Sequence, residues 1–132
     1  MIAQSIVAQW LRPAEILGRL VAAVTNRPNA IMNRRAIAML ELESVHQVLD
    51  IGFGDGGSLA PLLARTASGR VHGVDPSPLM RRRAAARHGE AIADGRLRLT
   101  DGVAETLPYA SRAMDRVLLV NTLYFCDDPL GA

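Results

Sequence analysis

Ten residues at positions 49–58, "LDIGFGDGGS", constrain the fold of this chain more than any other stretch. Four of the ten are glycine, and they follow directly on a short apolar run, "VHQVL". Glycine tolerates positive φ angles and lets a ligand or another backbone come close. In open α/β sheets the first strand-to-helix turn is the turn that lies against the bound ligand. We therefore interpret this run as a ligand-binding turn between a strand and a helix.

Four short apolar runs predict the strands of one sheet. They recur at intervals of about 25 residues and read "SVHQVLDI", "GRVHGVD", "GRLRLTD" and "MDRVLLVNT". Between them, helices are predicted over 58–66 and 78–93, the second with Ser77 as its N-cap and Pro78 at its first position. Strands that alternate with helices favour an α/β fold with a parallel sheet.

The first forty residues are predicted to form helices in three pieces. Pro13 and Pro28 divide the pieces, because proline starts or breaks a helix rather than continuing it. Apolar residues at spacings of three and four give each piece one apolar face. In the third piece the members of that face are Met32, Ala36, Met39 and Leu40.

Composition limits the classes of function. The chain has 132 residues, enough for one domain with a real core, and it is 49% hydrophobic and 21% charged, as globular proteins are. Fifteen arginines oppose thirteen carboxylates, so the bulk charge predicts no nucleic-acid partner. We interpret the basic run "MRRRAAAR" as a solvated helix face in preference to a phosphate or nucleic-acid patch. The single cysteine, Cys126, allows no internal disulfide and no cysteine-based metal site. Without a signal-peptide pattern or a run of eighteen apolar residues, we expect a soluble cytoplasmic protein with no membrane span.

The glycine run is compatible with two classes of ligand. From Gly52 to Gly57 it spells G-x-G-x-x-G, the dinucleotide fingerprint, and from Asp50 to Gly56 it spells D-x-G-x-G-x-G. In either case Asp75, at the end of the second predicted strand, is placed to accept hydrogen bonds from two ribose hydroxyls. The loop alone leaves both ligands open.

The flanking carboxylates favour a cationic ligand over a dinucleotide. Asp50 places a negative charge at the mouth of the loop, where it would repel a pyrophosphate and attract an ammonium group. Asp101 follows the third predicted strand, and its carboxylate suits an adenine amino group. These two positions indicate an adenosine ligand that carries a positive charge.

Three segments in order, "VLDIGFGDGG", "VHGVDPSPLMRRRAAAR" and "DGVAETLPYASRAMDRVLLVNTLYFCDDP", resemble the successive motifs of class I S-adenosylmethionine-dependent methyltransferases. The resemblance is to the small-molecule branch above all, which includes the ubiquinone and menaquinone biosynthesis enzymes, and it runs from about Val45 to Pro129. It implies a Rossmann-like three-layer sandwich with a parallel sheet of order 3-2-1-4. The leader "NRPNAIMNRRAIAMLEL" resembles the helical segment that partly covers the cofactor in such enzymes. The expected division is a helical segment at 1–43 and the first half of a methyltransferase domain at 44–132.

The resemblance also implies roles for individual residues. The loop from Asp50 to Gly56 would hold the methionine part of S-adenosylmethionine, Asp75 the ribose, and Asp101 the adenine amino group. Tyr124 is the candidate for shaping the acceptor site. No residue is a convincing catalytic base, since we interpret His46 and His72 as structural and expect His88 on a surface helix. The implied cofactor-binding residues are Asp50, Gly52, Gly54, Gly56, Asp75, Pro76, Ser77, Asp101, Gly102, Val103, Asn121 and Leu123.

The chain departs from the family after the fourth strand. Family members continue through three further strands, so "VLLV" at 117–120 is expected to form an edge strand that pairs with a second copy or with another chain. Three functions stay open at this point. They are a small-molecule methyltransferase, an S-adenosylmethionine-binding remnant or fragment without turnover, and an NAD-type half-domain.

Overall fold

A computed structural model of the protein describes residues 30–120. Its centre is a four-stranded parallel sheet in the order β3-β2-β1-β4. This confirms the predicted strand order and the Rossmann-like α/β fold. The strands are β1 (Gln47–Ile51), β2 (Arg70–Val74), β3 (Leu97–Thr100) and β4 (Arg116–Leu119).

The helices lie between the strands as predicted, with one difference. Residues 30–39 form α1, and the other helices are α2 (Leu59–Arg65), α3 (Pro78–Arg87) and α4 (Gly89–Ala93). The single helix predicted over 78–93 is therefore two helices. The break is at His88, whose φ and ψ of −119° and 29° are not helical, and Gly89, a poor helix former, follows it. Ser77 caps α3 as predicted, because its hydroxyl accepts a hydrogen bond from the Met80 N–H at 3.3 Å.

The buried face of α1 differs from the predicted one. Ile37 is 1% exposed and belongs to the main core, while Met39 is 83% exposed and Met32 is also exposed. Ala36 and Leu40 pack against the core beside Ile37. The buried face of α1 is thus rotated toward Ile37, because α1 packs on the core through Ile37, while Met32 and Met39 point to solvent. The two helical pieces predicted before Pro28 lie outside the described residues.

The two faces of the sheet are covered differently. Successive residues of β1 alternate between them, so Val48 packs with the helices while Leu49 and Ile51 pack on the opposite face. The helix side contains the larger core, to which α1, α2 and α3 all contribute. The opposite side is covered by the connection 101–115, which has no helix. Within residues 30–120, no helix is both long and apolar enough to cross a membrane.

Candidate functional site

The loop after β1 has the backbone conformation that its glycines predict. Gly52, Gly54 and Gly56 have φ angles of 69°, 57° and 85°, in the left-handed region that side chains disfavour. Gly57 is not among the positive-φ residues. The glycines of D-x-G-x-G-x-G are therefore the ones that shape the turn, whereas the last glycine of G-x-G-x-x-G has an ordinary conformation.

Phe53 anchors this loop to β2, a role that the sequence prediction missed. Its side chain is 6% exposed and lies over Gly73, where an added Cβ would come within 2.8 Å of the Phe53 ring. The Gly52 N–H also donates a hydrogen bond to the Val74 carbonyl at 2.7 Å. The only sequence signal for this packing is an aromatic residue between two glycines, with a glycine in the next strand to receive it.

Asp75 connects the loop to the start of α3. One carboxylate oxygen accepts a hydrogen bond from the Gly54 N–H at 2.9 Å, and the other accepts one from the Ser77 N–H at 2.8 Å. The side chain is 5% exposed, and this burial raises the pKa of Asp75, although the two amide hydrogen bonds and Arg81 oppose the rise. A carboxylate oxygen has more than one acceptor site, so both oxygens can still bind ligand hydroxyls.

Asp50 is a buried acid beneath the same loop. It is 3% exposed, and the Ser58 hydroxyl donates a hydrogen bond to its carboxylate. Burial raises the pKa of Asp50 to about 7, the nearby Asp75 contributes in the same direction, and the Ser58 hydrogen bond opposes both. Near neutral pH this group can therefore hold a proton or, once ionised, pair with a cation. The sequence predicted Asp50 but not its partner Ser58.

A narrow cleft opens onto Asp50. Its volume is about 20 Å³, on the order of the space that one water molecule needs. Asn33 of α1 and Val120, directly after β4, line it together with residues of the glycine loop. The leader helix thus contributes a polar residue to the cleft. The lining residues are Asn33, Asp50, Gly52, Phe53, Asp55, Ser58 and Val120.

The ends of β2 and β3 form an exposed rim beside the loop. Asp101 has a side chain that is 73% exposed, and its carboxylate accepts a hydrogen bond from Arg81 Nη1 at 2.8 Å. The same Arg81 nitrogen donates to the Asp75 carbonyl at 2.6 Å. The basic run is thus not only a solvated helix face, because one of its arginines joins the two strand ends. Pro76 and Val103 are exposed on this rim as well.

The other predicted positions after β3 have local roles. A Cβ on Gly102 would lie 3.0 Å from Val74 Cγ1, so this residue packs closely on β2. The Val103 carbonyl accepts a hydrogen bond from the Thr106 N–H at 3.1 Å. Asn121, Leu123 and Tyr124 lie outside the described residues.

α3 also holds the glycine loop from its C-terminal end. Arg87 Nη1 donates a hydrogen bond to the Asp55 carbonyl at 3.1 Å, and His88 hydrogen-bonds the backbone of Gly56. Burial and the neighbouring Arg87 lower the pKa of His88, and its bond to Gly56 opposes this shift. His88 therefore supports the loop rather than facing solvent on a surface helix.

The other two histidines have structural partners, as expected. His46 Nδ1 accepts a hydrogen bond from the Glu43 N–H at 3.1 Å. His72 lies 3.3 Å from the Gln47 side-chain oxygen, and burial together with nearby arginines lowers its pKa. Neither belongs to the cleft at Asp50. Among residues 30–120, no group of three or more His, Cys, Asp or Glu side chains is arranged to hold a metal ion.

Comparison with known proteins identifies the family. Residues 48–131, more than half of the chain, match the methyltransferase domain family. The chain belongs to this family. With the sheet order and the glycine loop described above, the match places it among the class I S-adenosylmethionine-dependent methyltransferases.

Two sequence relatives support this placement. The chain is 30% identical over 113 residues to the uncharacterized methyltransferase YdaC of Bacillus subtilis (strain 168), a match that covers 86% of this chain and 58% of YdaC. It is 34% identical over 105 residues to the aklanonic acid methyltransferase DauC of Streptomyces sp. (strain C5), covering 76% of this chain and 46% of DauC. The methyltransferase domain described here thus spans about half the length of these two relatives.

A solved structure has the same fold. A S-adenosylmethionine-dependent methyltransferase from Aquifex aeolicus superposes with a TM-score of 0.66 at 19% sequence identity. The superposition covers 75% of this chain and 53% of the Aquifex chain. At this identity the likeness supports the architecture of the methyltransferase domain, and the sequence match supports the family.

Proposed function

We propose that this methyltransferase domain binds S-adenosylmethionine at the glycine loop and takes part in transferring its methyl group to a small-molecule acceptor. The observation that carries the proposal is the hydrogen bond from Gly54 to Asp75, with ionisable Asp50 buried beneath the same loop. This arrangement offers one carboxylate to an ammonium group and another to ribose hydroxyls. S-adenosylmethionine carries both groups.

The cofactor roles proposed for the described residues follow the order of the strand ends. The ionised carboxylate of Asp50 pairs with the ammonium group, and the loop up to Gly56 accommodates the methionine chain. Asp75 accepts the ribose hydroxyls on the carboxylate oxygens that also hold Gly54 and Ser77. The remaining residues proposed for the adenine side are Pro76, Ser77, Asp101, Gly102 and Val103.

If Asp101 binds the adenine amino group, its carboxylate must bind Arg81 and the adenine at the same time. Arg81 already binds one oxygen of Asp101, and the other oxygen remains for an adenine amino group. Arg81 keeps the carboxylate at the rim, so we expect it to act as a positioning residue. Beyond the described residues, Asn121 and Leu123 are proposed to continue the cofactor site, and Tyr124 to shape the acceptor site.

The bound cofactor supplies an electrophilic methyl group on a sulfonium with a good leaving group. The protein then has to align the acceptor in line with that methyl and keep water away. Asn33 and Val120 narrow the cleft above Asp50 and so help to keep water away from the methyl group. No histidine among the described residues reaches the cleft, so we propose alignment rather than general-base chemistry as the contribution of this half of the site.

An NAD-type ligand fits the loop less well. In the dinucleotide fingerprint the last glycine lets the helix pack close to the strand, whereas an added Cβ on Gly57 would meet only the Asp55 side chain, at an ordinary 3.5 Å. The carboxylate of Asp50 would lie where a pyrophosphate needs hydrogen-bond donors. Both observations favour S-adenosylmethionine.

We also propose that the domain associates through β4. In the described residues β4 pairs only with β1, and Val117 on this strand is 48% exposed. An apolar strand at the edge of a parallel sheet is a pairing site for another chain or for a second copy.

The single cysteine fits a reducing compartment, so we propose that the protein works in the cytoplasm.

The proposal is tested by titrating the purified chain with S-adenosylhomocysteine in a calorimeter, with NAD as the control. Binding of S-adenosylhomocysteine alone, in the micromolar range, is the expected result. NAD binding that persists in Asp50→Ala would instead favour the hypothesis of an NAD-type dinucleotide-binding domain. Acceptor compounds are then screened for methylated product, and cofactor binding without product from any of them would indicate a binding domain without turnover.

A further inference from the structure

A groove of about 700 Å³ lies between α3, α4 and the edge strand β3. This volume is in the range of small-molecule binding sites. None of the residues lining the cleft at Asp50 lines the groove. The proposed methyl transfer therefore leaves the groove without a role.

The charges in the groove all have one sign. Arg70, Arg81, Arg82 and Arg98 line it, and no carboxylate between residues 30 and 120 does. Arg81 is engaged with Asp101, and Arg70 donates its Nε–H to a backbone carbonyl at 2.8 Å. These hydrogen bonds hold two of the four guanidinium groups in place.

The other two arginines are available to a ligand. Arg82 and Arg98 are exposed, and the side chain of neither makes a hydrogen bond or an ion pair with any residue between 30 and 120. A guanidinium group binds the oxygens of a phosphate or carboxylate through two parallel hydrogen bonds. A phosphate monoester carries close to two negative charges at neutral pH, which matches this pair of free cations.

The rest of the groove is apolar. Leu97 and Leu99 of β3 form one wall, and Ala85 of α3 and Ile92 of α4 form the other side, with Ile92 37% exposed. No aromatic side chain from the described part of the chain lines the groove. Proteins that bind single-stranded nucleic acids combine positive charge with aromatic side chains on which bases stack, so the lining favours an aliphatic ligand.

We propose that the groove binds a small amphipathic anion, a phosphate monoester carried on an aliphatic body. Arg98 stands in register with His72, so its side chain leaves β3 on the face opposite Leu97 and Leu99. Arg82 therefore binds the phosphate, Arg98 adds its charge at the edge of the groove, and the leucine wall of β3 receives the aliphatic part. This ligand is distinct from the cofactor, and the proposal does not depend on methyl transfer. The domain would thereby have a second small-molecule site on the β3 side of the sheet.

Decyl phosphate is the probe that tests the proposal, titrated into the full chain below its micelle concentration. We expect one binding site per chain. The double variant Arg82→Gln and Arg98→Gln should bind decyl phosphate at least about tenfold more weakly, since it removes the charge-assisted contact of Arg82 and the nearby charge of Arg98. Decanol and inorganic phosphate, which each lack one half of the probe, should bind the unaltered chain at least about tenfold more weakly than decyl phosphate does.

A matched control removes the same charge elsewhere. Arg34→Gln with Arg35→Gln changes two exposed arginines of α1, which do not line the groove, and should leave decyl phosphate binding unchanged. Circular dichroism establishes that both double variants fold. An equal loss in the two double variants, or equal binding of decanol, would overturn the proposal. So would a failure of decyl phosphate to bind while a 20-nucleotide single-stranded RNA binds and is lost with the groove variant.

Discussion

The Gly54 N–H donates a hydrogen bond of 2.9 Å to the carboxylate of Asp75, so the end of the second strand holds the loop that follows the first. The other oxygen of the same carboxylate holds the N–H of Ser77 at the start of α3. One acidic side chain therefore fixes two backbone segments and still has acceptor sites for a ligand. In the proposed site, Asp75 would position the glycine loop as well as bind the ribose.

Substitution Asp75→Ala should weaken S-adenosylhomocysteine binding by at least about tenfold. The change removes the proposed acceptor for the ribose hydroxyls and leaves the buried Gly54 N–H without its partner, and losing one hydrogen bond to a charged group costs about 1.5–3 kcal/mol. Isothermal titration calorimetry measures the effect. Asp94→Ala is the control, since Asp94 is an exposed acid after α4 that contributes no side-chain contact to the site. An unchanged affinity in Asp75→Ala would remove Asp75 from the proposed site.

Cofactor binding should depend on pH through Asp50. Its pKa lies near 7, so below that pH the free protein holds a proton that must be released before the carboxylate can pair with an ammonium group. We expect the affinity for S-adenosylhomocysteine to rise from pH 5.5 to about 7 and then to level off. Asp50→Asn should bind more weakly at pH 8 and show no such rise. The same rise in the variant would assign the titration to another group.

The stability of the free protein should show the opposite dependence on pH. At pH values below the ordinary pKa of 3.8, Asp50 is protonated in both the folded and the unfolded chain. As the pH rises to about 7, the unfolded chain ionises while the folded chain keeps its proton, so the free energy of unfolding falls. Urea denaturation at pH 5 and pH 8 measures the fall, which should be smaller in Asp50→Asn. An equal fall in both proteins would contradict the burial of an acid with a raised pKa.

The sequence predicts the sheet well because each strand is a short apolar run followed by a polar or glycine-rich turn. The β1 loop and the end of β2 could be located for the same reason, since Asp50 near the end of β1 and Asp75 directly after β2 lie at one edge of a parallel sheet. These features depend on local pattern and on the order of strands. Local pattern and strand order can both be inferred directly from the amino-acid sequence.

Contacts between distant segments could not be predicted in the same way. Arg81 bonds to Asp101 twenty residues away, and Phe53 packs on Gly73 only because β1 and β2 are neighbours in the sheet. The apolar spacing of α1 was compatible with several faces, and packing selected the one at Ile37 rather than Met39. Periodicity gives the presence of a helix more reliably than the exact face that it buries.

Substitution Val117→Lys tests association through β4. Val117 is 48% exposed on the strand, so a lysine there adds a charge to the proposed pairing edge without opening the core. Leu119 is a poorer probe because it packs against the second core cluster. Analytical ultracentrifugation should show less oligomer for Val117→Lys than for the unaltered chain, while Val45→Lys, at an exposed apolar residue before β1, should not change it. An oligomer that persists in Val117→Lys would place the interface elsewhere.

Substitution Gly56→Ala should damage the loop by two separable effects. The residue has a φ of +85°, where a non-glycine residue costs about 1–3 kcal/mol, and its added Cβ would lie 3.3 Å from Leu59 Cδ1 and 3.4 Å from Ala84 Cβ. Gly95→Ala isolates the first effect, because Gly95 has a φ of +73° and nothing within 4 Å of an added Cβ. Urea denaturation should therefore show a larger loss of stability for Gly56→Ala than for Gly95→Ala. S-adenosylhomocysteine binding should fall at least about tenfold in Gly56→Ala alone, because the crowding lies between the loop and the helices that support it. If both variants bound equally well, the backbone at Gly56 would not shape the proposed cofactor site.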